Sequence, residues 1–257
     1  MIIREGLVMP PNLTANRETD RASRPRTLVL MPAFNEGEVI ASVIQEVRAA
    51  CNFPVLVVDD ASTDDTIEQA RQAGATVISL ATQLGAWGAT QTGIRYALRH
   101  DYELVVSMDA DGQHEAEYIG DMIEPVVAGS VDVCIGACTS RGSLLRRFAW
   151  VFMKKTSGLS LEDITSGLRV YNRLALIELA GWRATLIDYQ DIGVLLLLQS
   201  SGLRIRDIEV SMRPRSNGTS RVFRSWFLVA YYMCHTLLLG LTKRNVARPQ
   251  KRLVDAS

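Results

Sequence analysis

A short acidic stretch in the middle of the chain carries the side chains best suited to chemistry. A mostly apolar run, residues 104–108, is followed by Asp109, Asp111, Gly112 and Gln113. Alternate residues of a strand point to opposite faces, so the two carboxylates can converge only where the strand breaks into a loop, which Gly112 permits. Carboxylate oxygens at the end of a buried strand suit Mg²⁺ or Mn²⁺ holding a diphosphate. A solvated acidic turn is the simpler explanation if the motif stands alone.

The first apolar run, residues 27–31, predicts a strand that Pro32 stops. Asn35 and Glu36 then offer polar groups at the start of a helix. This position has no Gly-x-Gly-x-x-Gly, which disfavours a dinucleotide-binding fold, and no glycine-rich phosphate loop of the kind that a sugar nucleotidyltransferase needs. A turn with a helix cap would explain this motif on its own.

Asp59 and Asp60 end a second apolar run, residues 54–58. Adjacent carboxylates at a strand end can accept hydrogen bonds from a base N–H and a ribose hydroxyl. Ser62 or Thr63 is predicted to cap the helix that follows. Capping does not explain two aspartates at the end of a buried strand.

The apolar periodicity around these motifs predicts alternating strands and helices. Strands are predicted at 27–31, 54–58, 75–80, 104–108, 131–137 and 204–212, and helices at 36–50, 64–73, 88–99 and within 186–201. This alternation indicates an α/β protein with a mostly parallel sheet. Such sheets bind ligands at the carboxyl ends of their strands, so the three motifs are expected to share one cleft.

Length and composition limit the possible functions. The chain has 257 residues, enough for one domain with appendages. Its 28 basic and 28 acidic residues give a net charge of zero, so the overall charge does not indicate binding to nucleic acid. The four cysteines include no Cys-x-x-Cys pair and are predicted to be reduced, mostly buried thiols of a cytosolic protein. Residues 1–25 lack the apolar core of a signal peptide and are predicted to form a flexible tail.

Two later segments point to a bilayer. Residues 144–155 predict a basic amphipathic helix suited to the membrane interface. Residues 225–242 carry no formal charge, precede a basic cluster and are barely long enough to span a membrane. Their aromatic residues favour an interfacial helix, with packing on the domain's own core and a true span as alternatives. Residues 223–257 are therefore predicted to form an amphipathic C-terminal helix and tail that docks on a membrane or a partner.

Together the motifs resemble those of family 2 glycosyltransferases, and most of all the dolichyl- or polyprenyl-phosphate sugar synthases. The matching stretches, in family order, are residues 32–36, 57–64, 85–93, 104–113, 163–169 and 215–221. The resemblance implies a catalytic domain of the GT-A fold over residues 26–222. It also implies a nucleotide-sugar donor, a divalent metal, and a small integral membrane protein or the membrane surface as partner.

The resemblance also implies roles for individual residues. Pro32, Phe34, Glu36 and Asp60 would cradle the nucleotide, while Asp109, Asp111 and Gln113 would surround the metal and diphosphate. The candidate nucleotide-binding residues further include Ala33, Asp59, Gly88 and Asp109, and the candidate catalytic residues are Asp111, Asp191 and Arg169. The chain departs from the family at residues 83–88, at Arg221 and at residues 188–191, which leaves the donor and any catalytic base open.

The predicted reaction is an inverting transfer of a hexose to polyprenyl phosphate. A phosphate monoester is largely dianionic at neutral pH and needs cations rather than a base. Arg169, Arg215 and Arg221, with Ser220, are the candidates to hold it, because guanidinium groups match phosphate oxygens. A sugar hydroxyl of a lipid-linked oligosaccharide or cell-surface polysaccharide would instead need a carboxylate base, for which Asp191 is the candidate.

Two other classes of protein are weighed against this one. A catalytically silent nucleotide-sugar-binding subunit of a membrane assembly is disfavoured by the intact metal motif. A haloacid-dehalogenase phosphatase also has an Asp-x-Asp-Gly motif, but there it ends the first strand rather than the fourth. We therefore predict a peripheral enzyme on the cytoplasmic face of a membrane.

Overall fold

The computed structural model describes residues 25–138, 161–162, 166–187 and 192–213. Several predictions concern residues outside these ranges: the N-terminal tail, the basic helix at 144–155, the segment at 223–257, and Asp191, Arg215, Ser220 and Arg221.

The described chain alternates strands and helices. The strands are β1 (Thr27–Ala33), β2 (Val55–Asp59), β3 (Thr76–Ser79), β4 (Leu104–Ser107), β5 (Val133–Ala137), β6 (Arg169–Asn172) and β7 (Ile205–Glu209). The helices are α1 (Ile40–Ala50), α2 (Thr66–Gln72), α3 (Gly85–Arg99), α4 (Ile119–Val127), α5 (Arg173–Ala180), α6 (Trp182–Thr185) and α7 (Ile192–Ser200), with a 3₁₀ helix at Ala116–Tyr118. The predicted α/β class is confirmed.

The strands form one sheet in the order β3-β2-β1-β4-β6-β5-β7. Every strand is parallel to its neighbours except β6, which is antiparallel to both β4 and β5. The predicted mostly parallel sheet is therefore confirmed, although the sequence pattern gave no strand at β6. Because β6 runs the other way, its first residue, Arg169, lies opposite Ser107 at the carboxyl edge of the parallel strands.

Helices cover both faces of the sheet. Apolar residues of α1 and α4, such as Ile44 and Met122, join one buried cluster. Residues of α3, α5 and α7, such as Ile94 and Leu176, join the other. In α7 the whole run from Val194 to Leu198 is buried, which explains why its sequence shows no polar face.

The described part of the chain contains no helix with the length and apolar character needed to cross a membrane.

The prediction that Pro32 stops the first strand is wrong. Strand β1 continues to Ala33 and pairs with β2 through Pro32 and Ala33. Backbone groups of a strand point alternately to either side, and Leu30 faces β4, where its carbonyl accepts the Met108 N–H. Pro32 therefore also faces β4, beyond the last residue that pairs, so its missing N–H removes no hydrogen bond from the sheet.

Several predicted elements are too long. Helix α1 begins at Ile40 rather than 36, α2 spans Thr66–Gln72 rather than 64–73, and β7 ends at Glu209 rather than 212. Helix α7 lies within residues 186–201, as predicted. Helix α3, in contrast, begins three residues earlier than predicted, at Gly85. The residues before α1 and α2 form loops instead of helical turns, and side-chain hydrogen bonds hold these loops in place.

Candidate active site

The loops that follow β1 and β2 are joined by side chains. The Ser62 hydroxyl accepts the N–H of Asn35 at 2.9 Å, and the Asn35 side-chain oxygen accepts the N–H of Thr63 at 2.8 Å. Asn35 (φ 54°) and Ala61 (φ 62°) both adopt the left-handed conformation. Alanine does so at a cost, so the surrounding contacts must hold this loop in shape. Ser62 binds across the loops, and its predicted role as a helix cap is wrong.

Asp64 connects the starts of α1 and α2. One carboxylate oxygen accepts the N–H and the hydroxyl of Thr66, and the other accepts the N–H of Gly37 at 3.1 Å. The Thr66 hydroxyl oxygen in turn accepts the N–H of Glu36 at 2.9 Å. Burial tends to raise the pKa of Asp64, but these hydrogen bonds outweigh it and lower the pKa below its usual value. The charged carboxylate thus fixes the segment that contains Glu36.

Asp59 and Asp60 both lie buried at the end of β2. The Asp60 carboxylate accepts the backbone N–H groups of Leu84 at 2.6 Å and Gly85 at 2.9 Å, at the start of α3. Asp59 accepts the Ser62 N–H at 3.3 Å through Oδ2, whereas Oδ1 is buried with no hydrogen-bond partner among the described residues. A buried carboxylate oxygen without a donor is costly, so this atom is suited to accept a hydrogen bond from a ligand.

The Asp-x-Asp motif lies in a loop directly after β4. The chain reverses at Gly112, which has a φ of 75°, as the sequence predicts. The Asp111 carboxylate accepts the N–H of Gln113 at 3.1 Å. The Asp109 side chain is about half exposed, and its Oδ2 lies 3.3 Å from Nε2 of the buried His114. Both carboxylates therefore lie at the carboxyl edge, and one is oriented by a buried imidazole.

A glycine allows the Asp109 carboxylate to pack directly against the backbone that precedes β6. A side chain on Gly167 would place its Cβ 2.3 Å from the Asp109 carboxylate. Gly167 is held next to β4, because its carbonyl accepts the Ser107 hydroxyl at 2.8 Å. The neighbouring Arg169 is almost fully buried, and its Nε donates to the carbonyl of Ser166 at 2.8 Å. The guanidinium group predicted to bind phosphate therefore lies in the interior, beside the end of β4.

This site fits a metal that is shared with a substrate. Among the described residues, no three His, Cys, Asp or Glu side chains are grouped so that they could hold a metal ion by themselves. Mg²⁺ is commonly held by one or two carboxylates together with substrate phosphates, which matches Asp109 and Asp111. Gln113 is buried, and its Nε2 has no partner within the described ranges.

The structure brings together most of the predicted site. The predicted residues at the carboxyl ends of β1, β2 and β4, and in the first turn of α3, line the same edge of the sheet: Pro32, Ala33, Phe34, Glu36, Asp59, Asp60, Gly88, Asp109, Asp111 and Gln113. Sequence reasoning missed His114 and Gly167. The position of His114 directly after the motif was the available signal, and Gly167 lies within a stretch already matched to the family.

An α/β sheet of this order, with an Asp-x-Asp loop at its carboxyl edge, is typical of the GT-A fold. The solved structure of glucosyl-3-phosphoglycerate synthase from Mycobacterium tuberculosis, in complex with Mn²⁺, UDP and glucosyl-3-phosphoglycerate, shares this fold. The TM-score is 0.65 at 18% identity, over 95% of this chain and 88% of that one.

Residues 28–179 match the model of glycosyl transferase family 2. The chain therefore belongs to this family and is a glycosyltransferase, which confirms the resemblance drawn from the motifs. It is 29% identical to polyprenol monophosphomannose synthase of Mycolicibacterium smegmatis, over 77% of this chain and 81% of that protein. It is 30% identical to undecaprenyl-phosphate mannosyltransferase of Micrococcus luteus, over 77% of this chain and 87% of that protein.

Proposed function

We propose that this protein transfers a hexose from a nucleotide-diphospho-sugar to a polyprenyl-phosphate lipid, with inversion and with Mg²⁺ or Mn²⁺ as cofactor. The observation that carries the proposal is the Asp109–Gln113 loop, which lies at the same sheet edge as the buried Asp59 and Asp60. The acceptor is supported by the two relatives, whose names specify transfer of mannose to polyprenyl phosphate carriers. The donor's base and sugar are left to experiment.

The donor nucleotide would lie against the ends of β1 and β2. Asp59 offers a buried oxygen that lacks a donor. Each Asp60 oxygen accepts one backbone N–H and retains a second lone pair, so this carboxylate can also accept from a base or a ribose. The loop around Asn35 and Glu36 is already fixed by Ser62 and Thr66, so little ordering is needed on binding.

Asp109, Asp111 and Gln113 would hold the metal and the donor diphosphate. When bound, the metal neutralises the charge that develops on the leaving nucleoside diphosphate. His114 keeps the Asp109 carboxylate in place, and Gly167 lets that carboxylate lie against the backbone. These residues orient the donor so that the anomeric carbon faces the acceptor.

In the proposed step an oxygen of the acceptor phosphate forms a bond to the anomeric carbon. The bond from that carbon to the donor diphosphate breaks, and its electron pair leaves with the nucleoside diphosphate. A single displacement inverts the configuration. The acceptor is already a dianion, so no proton has to be removed. Its charge would be balanced by Arg215 and Arg221, which the sequence predicts for this role, whereas the buried Arg169 would contribute its positive charge from beside the end of β4.

We also propose that the enzyme works peripherally at the cytoplasmic face of a membrane, because its acceptor is a lipid. Support comes from the basic amphipathic pattern at residues 144–155 and from the uncharged segment at 225–242 with its basic flank. A small integral membrane protein is the proposed partner at this surface.

The test is transfer from radiolabelled UDP-, GDP- and dTDP-sugars to short-chain polyprenyl phosphate, with Mn²⁺ or Mg²⁺. We expect label to move into the lipid phase with one donor, and Asp111→Asn to abolish this transfer. Asp121→Asn, which changes an exposed carboxylate on α4, is the matched control and should leave transfer unchanged. Metal-dependent donor hydrolysis without any transfer to lipid would contradict the proposed acceptor. That result would favour a sugar hydroxyl and make Asp191 the next residue to replace.

A further inference from the structure

Glu46 lies on α1, and its carboxylate bonds two residues outside that helix. Its Oε1 accepts the N–H of Ala116 at 3.3 Å and Nη2 of Arg213 at 3.0 Å. Its Oε2 accepts Nη1 of Arg213 at 2.6 Å. Hydrogen bonding from the Arg213 guanidinium lowers the pKa of Glu46, so the carboxylate is charged at neutral pH. A single carboxylate thus connects α1 to two other segments of the chain.

Both of these segments meet the Asp109–Gln113 loop. Ala116 lies just after the loop, and Arg213 lies four residues after β7. The N–H of Arg213 donates to the Gln113 carbonyl at 2.8 Å, and Met212 pairs with His114 in an antiparallel bridge. Arg213 lies two residues before Arg215, a predicted phosphate ligand, but the structure pairs Arg213 with Glu46. The segment that follows β7 is therefore held against the Asp109–Gln113 loop by backbone hydrogen bonds.

We propose that Glu46 is a positioning residue for the Asp109–Gln113 loop, an inference that rests on the proposed role of this loop in holding a metal and a diphosphate. Glu46 holds the end of the loop directly through Ala116. Through Arg213 it also holds the strand that pairs with Gln113. The Gln113 N–H in turn donates to the Asp111 carboxylate at 3.1 Å, so the contacts are continuous from α1 to a proposed metal ligand.

The chain contains a second ion pair of the same kind that serves as a control. Arg204 donates from Nε at 3.1 Å and Nη2 at 3.3 Å to the two carboxylate oxygens of Asp132. The Arg204 side chain is 57% exposed and that of Arg213 is 48% exposed. The Asp132 pair lies before β5 and β7, at the opposite edge of the sheet. If ion pairs of this type act only on stability, the two should behave alike when broken.

The experiment is a calorimetric titration of the full chain with Mn²⁺ in the presence of UDP and, separately, of GDP. Loss of an outer-shell partner typically weakens metal binding about 10- to 100-fold, so Glu46→Ala should weaken Mn²⁺ binding by at least about tenfold. Glu46→Gln should weaken it less, because the amide oxygen still accepts the Ala116 N–H. Arg204→Ala should leave Mn²⁺ affinity unchanged. Equal Mn²⁺ affinity in Glu46→Ala and the wild type would overturn the proposal.

Hydrogen exchange of the Gln113 and Arg213 amides provides a readout that needs no metal. These amides should exchange faster in Glu46→Ala, more slowly in Glu46→Gln than in Glu46→Ala, and at the wild-type rate in Arg204→Ala. If the wild type binds no Mn²⁺ with either nucleotide, the proposed function fails for these donors. The exchange rates still decide whether Glu46 positions the loop, and unchanged rates would reject that role.

Discussion

Asp60 illustrates how one carboxylate can serve both the fold and a ligand. Its two oxygens accept the first N–H groups at the start of α3, where the helix dipole also favours a negative charge. Asp60→Asn leaves only one acceptor oxygen and turns an NH₂ group toward a backbone N–H. We expect this change to lower the free energy of unfolding by about 1–3 kcal/mol without any nucleotide present.

Urea denaturation of the nucleotide-free protein measures this effect. Asp65→Asn is the control, because the Asp65 carboxylate is exposed and bonds only the side chain of Gln69 among the described contacts. Such a surface change should stay within about 0.5 kcal/mol of the wild type. Equal losses in the two variants would show that Asp60 does not anchor α3.

A substitution at Gly167 tests whether the position of the Asp109 carboxylate is needed for activity. In Gly167→Ala the new Cβ would lie 2.3 Å from the Asp109 carboxylate, which must then move. Because the Asp109 side chain is half exposed, it can move without unfolding the protein. We expect a loss of transferase activity and weaker Mn²⁺ binding with little change in the urea midpoint.

Gly120→Ala is the matched control for this change. Gly120 lies in α4, and a Cβ there meets no atom within 4 Å. Alanine is preferred in a helix by about 1 kcal/mol, so this variant should be slightly more stable and fully active. Normal Mn²⁺ affinity in Gly167→Ala would show that the packing of Asp109 on Gly167 has no role in the site.

At the residue scale, the sequence identifies acidic residues better than their partners. Asp59, Asp60, Asp109 and Asp111 follow apolar runs, a local pattern that any reader of the sequence can see. Glu46 has no such pattern, because its partner Arg213 is separated from it by 167 residues. Contacts of this kind depend on the sheet order, which local periodicity does not contain.

At the scale of elements, Asp132 connects three strands at the amino edge of the sheet. Its carboxylate accepts from Arg204 ahead of β7 and from the Asn172 side chain at the end of β6. Burial tends to raise the pKa of Asp132, but the hydrogen bonds from Arg204 and Asn172 outweigh it and lower the pKa. The folded state therefore favours the ionised carboxylate.

This shift predicts a pH dependence of stability. A carboxyl group whose pKa is lower when folded stabilises the protein above its unfolded pKa, about 3.9, and loses this contribution as the pH falls through the folded pKa. Arg204→Ala should therefore have a lower urea midpoint than the wild type at pH 7, and the difference should shrink below about pH 4. A difference that is the same at pH 7 and pH 3 would assign the effect of Arg204 to packing rather than to its pairing with Asp132.

The elements that the sequence failed to predict have physical reasons in common. Strand β6 has the sequence Arg-Val-Tyr-Asn, so only its two central residues are apolar, and it runs antiparallel to β4 and β5, which an alternation of parallel strands and helices does not predict. The residues predicted to start α1 and α2 instead form loops held by side chains: the Glu36 N–H donates to the Thr66 hydroxyl, and the Thr66 N–H donates to the Asp64 carboxylate. Helices α1 and α2 therefore begin later than their apolar periodicity predicts.

At the scale of the whole molecule, the carboxyl and amino edges of the sheet differ in how well their polar groups are paired. The carboxyl edge holds Asp59, whose Oδ1 is unsatisfied, and two of the three described non-glycine residues in the left-handed conformation, Asn35 and Ala61. The amino edge holds the ion pair of Asp132 and Arg204. Strain and unpaired polar atoms are concentrated where a ligand can compensate them, which is typical of a functional site.

The proposed attachment to a membrane predicts binding to anionic vesicles that depends on salt. Each lysine or arginine near an anionic surface contributes about 1 kcal/mol, an effect that added salt screens. The full chain should float with vesicles that contain an anionic phospholipid at low salt and should be released as NaCl rises. Replacing Lys243 and Arg244 with serine should weaken this binding.

Serine at Arg71 and Arg99, which are exposed at the ends of α2 and α3, is the matched control and should leave flotation unchanged. Equal losses in both variants would mean that the net charge of the protein, rather than the C-terminal cluster, drives binding. Flotation that survives high salt and alkaline carbonate would instead indicate that residues 225–242 insert into the bilayer. A peripheral enzyme should detach from the vesicles under those conditions, because salt screens the charges that hold it at the surface.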